Sequence, residues 1–423
     1  MGPWKGSFPG SYLLVPGTPR MQERAVPVSP PGHCMSPRRR YVFLAPFLTA
    51  LGVFALLHVY VAHRLFVAPS LPAVLAAGGC VLLALLVVLV PVGFFFSRRD
   101  RGWPSHVFPP LAIVWLGVSG ILLTVTVVTD LGRLLFGLLH GWPDTAAAFH
   151  QARLQAVAIA LGTALLVPFA IWTARGRLVL SRVRVPLEKL APGVAGLRIV
   201  QISDLHIGDR LGEAFLRRVV DRVNALQPDV VAITGDLVDG PVDVVEQALK
   251  PLADLDAPHG VYFVTGNHEY YWDALQSVRM VKALGLTVLH NEHRVVERAG
   301  GSVVIGGIPD LHGGRFFADH ESRPDLAFAG APEGAPRVLL AHQPRAVTRA
   351  APHGVDLLLA GHTHGGQIFP FHLFVRLQQP VVRGLRRLLG VWVYAHRGTG
   401  FWGPPMRLFS TPEIAEITLT PAG

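Results

Sequence analysis

Four long apolar runs occupy the first half of the chain, at about 41–62 (YVFLAPFLTALGVFALLHVYVA), 72–96, 108–129 and 154–174, and none contains Asp, Glu, Lys or Arg. Each approaches the ~20 residues that an α-helix needs to cross a bilayer. Four in succession, each longer than an ordinary core helix, predict membrane spans rather than a buried soluble core. From about residue 196 the pattern changes to short β-branched runs alternating with amphipathic segments: LRIVQIS, a helix from about 211, DVVAITGD, a helix from about 242, then GVYFVTGN. Leu211, Phe215, Val219, Val223 and Leu226 recur at three- and four-residue spacing and predict one buried helical face. Strand–helix–strand repetition implies an α/β domain. Later strands, expected at about 286–290, 302–308, 337–341, 356–360, 391–395 and 414–419, have fewer helices between them and suggest a second sheet packed face to face on the first. The predicted fold is an N-terminal all-α membrane domain of four transmembrane helices followed by an α/β domain of two packed mixed β-sheets flanked by helices.

Composition sharpens this division. Residues 1–195 hold 17 Lys+Arg against 5 Asp+Glu, and residues 196–423 hold 21 against 23, so the net charge of +10 belongs to the apolar half. A nucleic-acid protein would carry the surplus on its folded domain; here it reads as membrane topology, with no nucleic-acid partner and no obligate protein partner evident. Residues 1–40 are rich in Pro, Gly and Ser and are expected to be disordered, with Met21 and Met35 as alternative starts and no cleaved signal. The expected boundaries are 41–175 for the four-helix anchor, 176–195 for a linker and 196–423 for the α/β domain. Two cysteines, Cys34 and Cys80, supply neither a disulfide framework nor a thiolate metal site.

Arg38, Arg39 and Arg40 precede the first run, Arg98, Arg99 and Arg101 fill the second loop, and Arg175, Arg177, Arg182 and Arg184 follow the fourth. The first loop has only Arg64, and the third offsets Arg133 and Arg153 with Asp130 and Asp144 around a partly apolar stretch, LLFGLLHGW, read as interfacial. The positive-inside rule puts the N-terminus and the second half in the cytoplasm. With no charge mid-span the helices offer no ion pathway, and His58, His63, His106, His140 and His150 read as interfacial rather than haem ligands.

The chemistry gathers where strands are expected to end. LRIVQIS runs into Asp204-Leu-His206, DVVAIT into Gly235-Asp236 with Asp239 three further on, and GVYFVT into Gly266-Asn267-His268-Glu269. RVLLA is followed by His342, and DLLLA by Gly361-His362-Thr363-His364-Gly365-Gly366-Gln367. Each alone reads equally well as a turn. Together they bring Asp204, His206, Asp236, Asn267, His342, His362 and His364 to the carboxyl ends of five strands, where open α/β sheets build sites. Seven ligands exceed the about four of a single zinc and suffice for two ions sharing a carboxylate. Imidazole with carboxylate suits Zn, Fe or Mn without discriminating among them.

This order of motifs resembles the calcineurin-like metallophosphoesterases over about residues 196–420, and GHTHGGQ with the later HRGTG, Arg407 and Pro412-Glu413 resembles a bacterial branch of membrane-associated phosphohydrolases. The resemblance implies one ion on Asp204, His206, Asp236 and His364, and a second on Asp236, Asn267, His342 and His362, with Asp236 bridging. It implies that His268 stands beside the ions without binding them and that Asp239 orients its neighbours. Two cations roughly 3.5–4 Å apart would neutralise phosphoryl oxygens and supply a hydroxide for in-line attack. His268 is then the general acid for the leaving oxygen, giving a catalytic pair of His268 and Asp239. Gly361, Gly365 and Gly366 are expected to let the backbone turn closely around the centre, where a side chain would crowd substrate. The expected protein is a membrane-anchored phosphoesterase of a bacterial cell or inner membrane, its catalytic domain cytoplasmic. Its substrate is a phosphodiester or lipid-linked phosphate. The alternative is a non-catalytic membrane scaffold or sensor with a metal-binding domain. Residues 369–390, mixing Phe371, Leu373, Phe374, Leu377, Leu385 and Leu388 with Arg376, Arg383, Arg386 and Arg387, fit either a lid facing the bilayer or an amphipathic helix packed on the domain.

Overall fold

A computed structural model describes residues 37–97, 102–176, 178–298 and 300–422. The expected disorder of 1–40 therefore falls, up to residue 36, outside the described residues, as do Arg98, Arg99, Arg101 and Arg177. Among the described residues four helices are long and apolar enough to cross a membrane: α1 (Pro37–Ala62, continued by a π-turn His63–Val67), α2 (Ala73–Phe96), α3 (Trp103–His140) and α4 (Thr145–Gly176). The part of α1 up to Gly52 belongs to one compact unit, and Val53–Gly423 form the other, which contains the rest of the helices and the whole α/β half.

α3 runs for 38 residues and absorbs most of the stretch read as a third, interfacial loop. The reason is that its charged residues are matched inside the bundle. The Tyr60 hydroxyl and Arg64 Nε, the latter at 2.9 Å, both donate to Asp130 Oδ2. Gln155 Nε2 donates to Asp130 Oδ1 at 2.8 Å, and Arg133 Nη1 donates to Gln155 Oε1 at 2.5 Å. This network ties the end of α1, its π-turn, α3 and α4 together. Elsewhere the helices close through small residues: a Cβ at Gly93 of α2 would strike the Ala112 methyl of α3.

The α/β domain holds two six-stranded sheets. The first is built from β1 (Val179–Leu187), β2 (Arg198–Ile202), β3 (Val230–Ile233), β4 (Val261–Phe263), β5 (Thr287–Val288) and β12 (Glu413–Pro421), in the order β1-β12-β2-β3-β4-β5. The second comprises β6 (Glu292–Arg298), β7 (Gly301–Gly307), β8 (Arg337–Leu340), β9 (Leu357–Ala360), β10 (Gly384–Leu388) and β11 (Val391–Ala395), in the order β10-β11-β9-β8-β7-β6. β2 through β5 run parallel, as do β7, β8, β9 and β11, while β12 is antiparallel to β2. Ile199, Val230, Val264, Val303, Val338, Leu357, Leu359 and Ile417 fill the layer between the sheets. On the outer face of the first sheet lie α5 (Glu213–Asn224), α6 (Val242–Leu249) and α8 (Ala274–Ala283), with α7 (Asn267–Trp272) between α6 and α8 in the chain. α9 (Pro324–Ala327) and α10 (Val347–Ala350) are single turns, and α11 (His372–Gln378) comes after the last polar motif.

Three strands depart from the sequence pattern. Residues 176–195, expected as a linker, contain β1, whose alternation of Val183, Val185 and Leu187 with arginines pairs it in parallel with β12. β6 is an edge strand of mostly polar residues. The segment 369–390 is neither one helix nor one lid: it divides into α11 and β10, which pairs antiparallel with β11. α5 begins at Glu213, and its buried face is centred on Leu216, Val219, Val220 and Val223, with Phe215 half-buried at its flank.

The domain does not hang free of the helices. Ile368, Met406 and Leu408 pack with Ile121 of α3 and Ala170 of α4, and the Arg407 N–H donates to the Ala170 carbonyl at 2.9 Å.

Candidate metal centre

Parallel strands aim their carboxyl ends at one place, and the loops leaving them must turn sharply there. Asp204 and His206 follow β2, Asp236 follows β3, and His362 and His364 follow β9; all five take left-handed φ, between 48° and 68°. That conformation is costly for residues with a Cβ, and five such residues at one spot mark strain maintained for a purpose. Asn267 opens α7 and His342 follows β8.

The side chains converge in two groups whose ligand atoms lie within 4.8 Å of one another: Asp204, His206 and His364, and Asp236, His342 and His362. His206 Nε2 faces His364 Nε2 at 3.1 Å, and His364 Nε2 lies 3.4 Å from Asp204 Oδ1. His342 Nε2 lies 3.2 Å from His362 Nδ1, 3.2 Å from Asn267 Oδ1 and 3.2 Å from Asp236 Oδ2. Asp236 Oδ2 is also 3.8 Å from His206 Nε2, so one carboxylate oxygen stands between the groups. A third cluster adds Asp239 and His268 to His206, with Asp239 Oδ1 3.3 Å from His268 Nδ1. The structure thus brings the expected residues Asp204, His206, Asp236, Asp239, Asn267, His268, His342, His362 and His364 close together.

Burial explains the charge state. It drives His206 and His362 down to about 3 and His364 well below its ordinary value, leaving neutral imidazoles, the form that binds a metal. Burial opposes a charge on His342 too, but the Asp236 and Asp204 carboxylates overcome it and raise His342 well above normal. A proton held there occupies ground that suits a cation. The ring's orientation agrees, since Nδ1–H donates to the Thr234 carbonyl at 2.8 Å and turns Nε2 inward. His268 is likewise raised, burial being outweighed by Asp236 and Asp239. Imidazole nitrogens directed at each other beside carboxylate and amide oxygens need a positive charge among them. The donor set fits divalent metal ions.

Supporting residues lie just behind. Glu269, which the sequence marks only as part of its motif, is fully buried and accepts N–H groups of Gly266 at 2.6 Å, Leu237 at 2.7 Å and Asp236 at 3.1 Å, clamping two ligand loops together. Its signal in the sequence is its place three residues after the helix N-cap Gly266. In HRGTG, Thr399 N–H donates to the Ser203 carbonyl at 2.7 Å and Gly400 N–H to the Asp204 carbonyl at 2.9 Å. Glu413 holds that loop by accepting from the Arg397 N–H at 2.8 Å. The Arg407 guanidinium, fully buried, donates to the carbonyls of Arg397 at 2.8 Å and His364 at 3.2 Å.

The backbone turns closely at GHTHGGQ, with left-handed φ at Gly365 and Gly366. A Cβ at Gly361 would collide with Ser203 Oγ and the Asp204 carboxylate, one at Gly365 with Ser410 and Arg397, and one at Gly366 with His372. They admit close packing of neighbouring loops.

A family model described as calcineurin-like phosphoesterase matches residues 197–366. The chain is similar to a Danio rerio transmembrane protein with metallophosphoesterase domain, 35% identical over 341 residues that cover 78% of this chain and 76% of the relative. A Bos taurus protein of the same description is 37% identical over 253 residues, 57% of each chain. An uncharacterized metallophosphoesterase of Bacillus subtilis is 33% identical over 241 residues, 54% of this chain and 80% of its own. With four helices long and apolar enough to cross a membrane among the described residues and a cluster suited to divalent metal at the strand ends, the chain is a membrane protein carrying a metal-dependent phosphoric ester hydrolase, and it belongs to the calcineurin-like metallophosphoesterases.

Proposed function

We propose that the site holds two metal ions, one on Asp204, His206, Asp236 and His364 and the other on Asp236, Asn267, His342 and His362. The observation that carries this reading is the position of Asp236 Oδ2, 3.2 Å from His342 Nε2 and 3.8 Å from His206 Nε2, which suits a carboxylate shared by two sites. When bound, such ions neutralise phosphoryl oxygens and acidify water, supplying a nucleophile near neutral pH. The chain's own residues do the rest. Asp239 faces His268 Nδ1 at 3.3 Å and, after Asp236, favours the protonated ring, so that His268 Nε2–H passes its proton to the leaving oxygen. Glu269 and the HRGTG loop fix the ligand loops without touching substrate.

The substrate in this reading is a phosphodiester or lipid-linked phosphate, and α1–α4 anchor the hydrolase. Arg175, Arg182 and Arg184 after the last span favour a cytoplasmic catalytic domain. Metal analysis of the purified full-length protein, with turnover of a chromogenic phosphodiester and a lipid-linked one, tests the reading. One ion or fewer per chain in active protein would sink the dinuclear assignment. Turnover of only soluble esters would sink the lipid substrate.

A further inference from the structure

Beside the centre the fold leaves a group of large apolar side chains open. Phe371, at the start of α11, is 50% exposed, and Leu373, Phe374 and Leu377 on α11 are 53%, 61% and 83% exposed. Phe409, 66% exposed, joins them through Phe369, the two rings being 5.8 Å apart. A soluble domain rarely leaves such a patch uncovered.

Its position relative to the spans says what covers it. The Phe371 ring lies 3.5 Å from where a Cβ on Gly120 of α3 would stand, and Thr124 Oγ1 of the same helix donates to the Phe369 carbonyl at 3.4 Å. On α4, the stretch between Arg153 and Arg175 contains no charged residue and rises about 30 Å, the thickness of a bilayer's hydrocarbon core. Ala170, which accepts the Arg407 N–H, lies about 7 Å inside that stretch from its Arg175 end. The loops carrying Phe369 and Met406 thus meet α3 and α4 below the edge of the apolar stretch. Phe371 and α11 stand next to the side of α3 on which Val127 and Val128 are exposed. Arg376, on the same short helix, lies at its flank, the arrangement of an interfacial helix. Next to it a groove of about 280 Å³ runs between the Gly365–Gly366 turn and Phe369, Leu408 and Phe409, with Arg383 in its wall.

We propose that α11 and Phe409 are a membrane-interaction surface, inserted into one leaflet of the bilayer that α1–α4 span, so that the rim of the metal centre sits among lipid head groups. Continuity with the lipid-facing side of α3 selects lipid over a second copy of the chain as the occupant. The inference needs the spans but not the phosphoesterase chemistry.

The test uses the full-length chain with Cys34→Ser and Cys80→Ser, carrying a single cysteine at Phe374 or Leu377 labelled with an environment-sensitive dye. The protein is reconstituted in vesicles of neutral and anionic phospholipid containing nitroxide on the acyl chains. Leu75→Cys, on the exposed side of α2, and Glu297→Cys, on edge strand β6, report lipid and water. The expected result is blue-shifted emission at 374 and 377, quenched by shallow nitroxides several-fold more than at 297. Unshifted emission at 374 and 377, matching 297, overturns the proposal. So does shielded emission that nitroxide lipid fails to quench, the outcome if a second copy covers the patch. Because no turnover is read, failure of the hydrolase reading would leave this result intact.

Discussion

Asp239 Oδ1 lies 3.3 Å from His268 Nδ1, at the edge of a centre where burial drives His206, His362 and His364 neutral. His268 combines a raised proton affinity with a ring held by a carboxylate outside the two ligand groups. His268→Ala is expected to leave metal content unchanged and to slow esters of poor leaving groups by ~10²-fold or more, with aryl esters affected much less. Equal slowing across a leaving-group series would count against the acid role.

The same pair gives a pH signature. Protonated His268 is the active form, so the rate falls as pH rises through its pKa, which the neighbouring carboxylates raise. Asp239→Asn removes one of them and should move that alkaline fall to lower pH. A kcat/KM profile of the variant with an unmoved alkaline limb would show that Asp239 does not set the proton affinity of His268.

On the proposed assignment Asp236 serves both ions, so Asp236→Asn should deplete metal from both, whereas Asp204→Asn should deplete mainly one. Elemental analysis of the two purified variants distinguishes them. Chelation of the wild-type protein should lower its Tm, because ions bound only by the folded state stabilise it by about 2.7 kcal/mol at a free concentration of 100 Kd. An unchanged Tm after complete metal removal would be incompatible with ligands packed this closely.

Glu269 accepts backbone N–H groups from two ligand loops, at Asp236 and Leu237 on one and at Gly266 on the other. Replacing it with Gln removes one acceptor oxygen and turns an amide donor toward backbone N–H groups. The expected loss is about 10–100-fold in metal affinity, the scale for residues that orient ligands. Metal titration of the Glu269→Gln apoprotein checks it, and unaltered affinity would make the clamp incidental.

In the bundle, Asp130 is the shared acceptor for Tyr60, Arg64 and Gln155. Interhelical hydrogen bonds in membranes average about 0.6 kcal/mol each, so Asp130→Ala should cost about 1–2 kcal/mol of bundle stability. Thermal unfolding in a fixed detergent measures this. Turnover of a soluble phosphodiester should be spared.

Much of the site is legible in the chain alone. Asp204, His206, Asp236, Asn267, His342, His362 and His364 each follow a strand or open a helix, and their motifs are local in sequence. The features that escape such a reading depend on distant partners. β1 hides in an arginine-rich flank because its identity rests on pairing with β12, more than 200 residues on. In sequence α3 reads as ending at Asp130, because a lone carboxylate in an apolar run stops a span unless another helix neutralises it.

By itself the sequence determined the four apolar helices, the alternating α/β half and which residues gather at the candidate site, because each is written in local periodicity or in a motif of a few residues. Only the tertiary structure decided that Asp236 stands between two ligand groups and that Glu269 binds their loops together. It alone also showed that the GHTHGGQ glycines make room for neighbouring loops and that Phe369 and Phe371 meet α3. These are relations across more than one element, and they are set by how the sheets and spans pack rather than by any single stretch of chain.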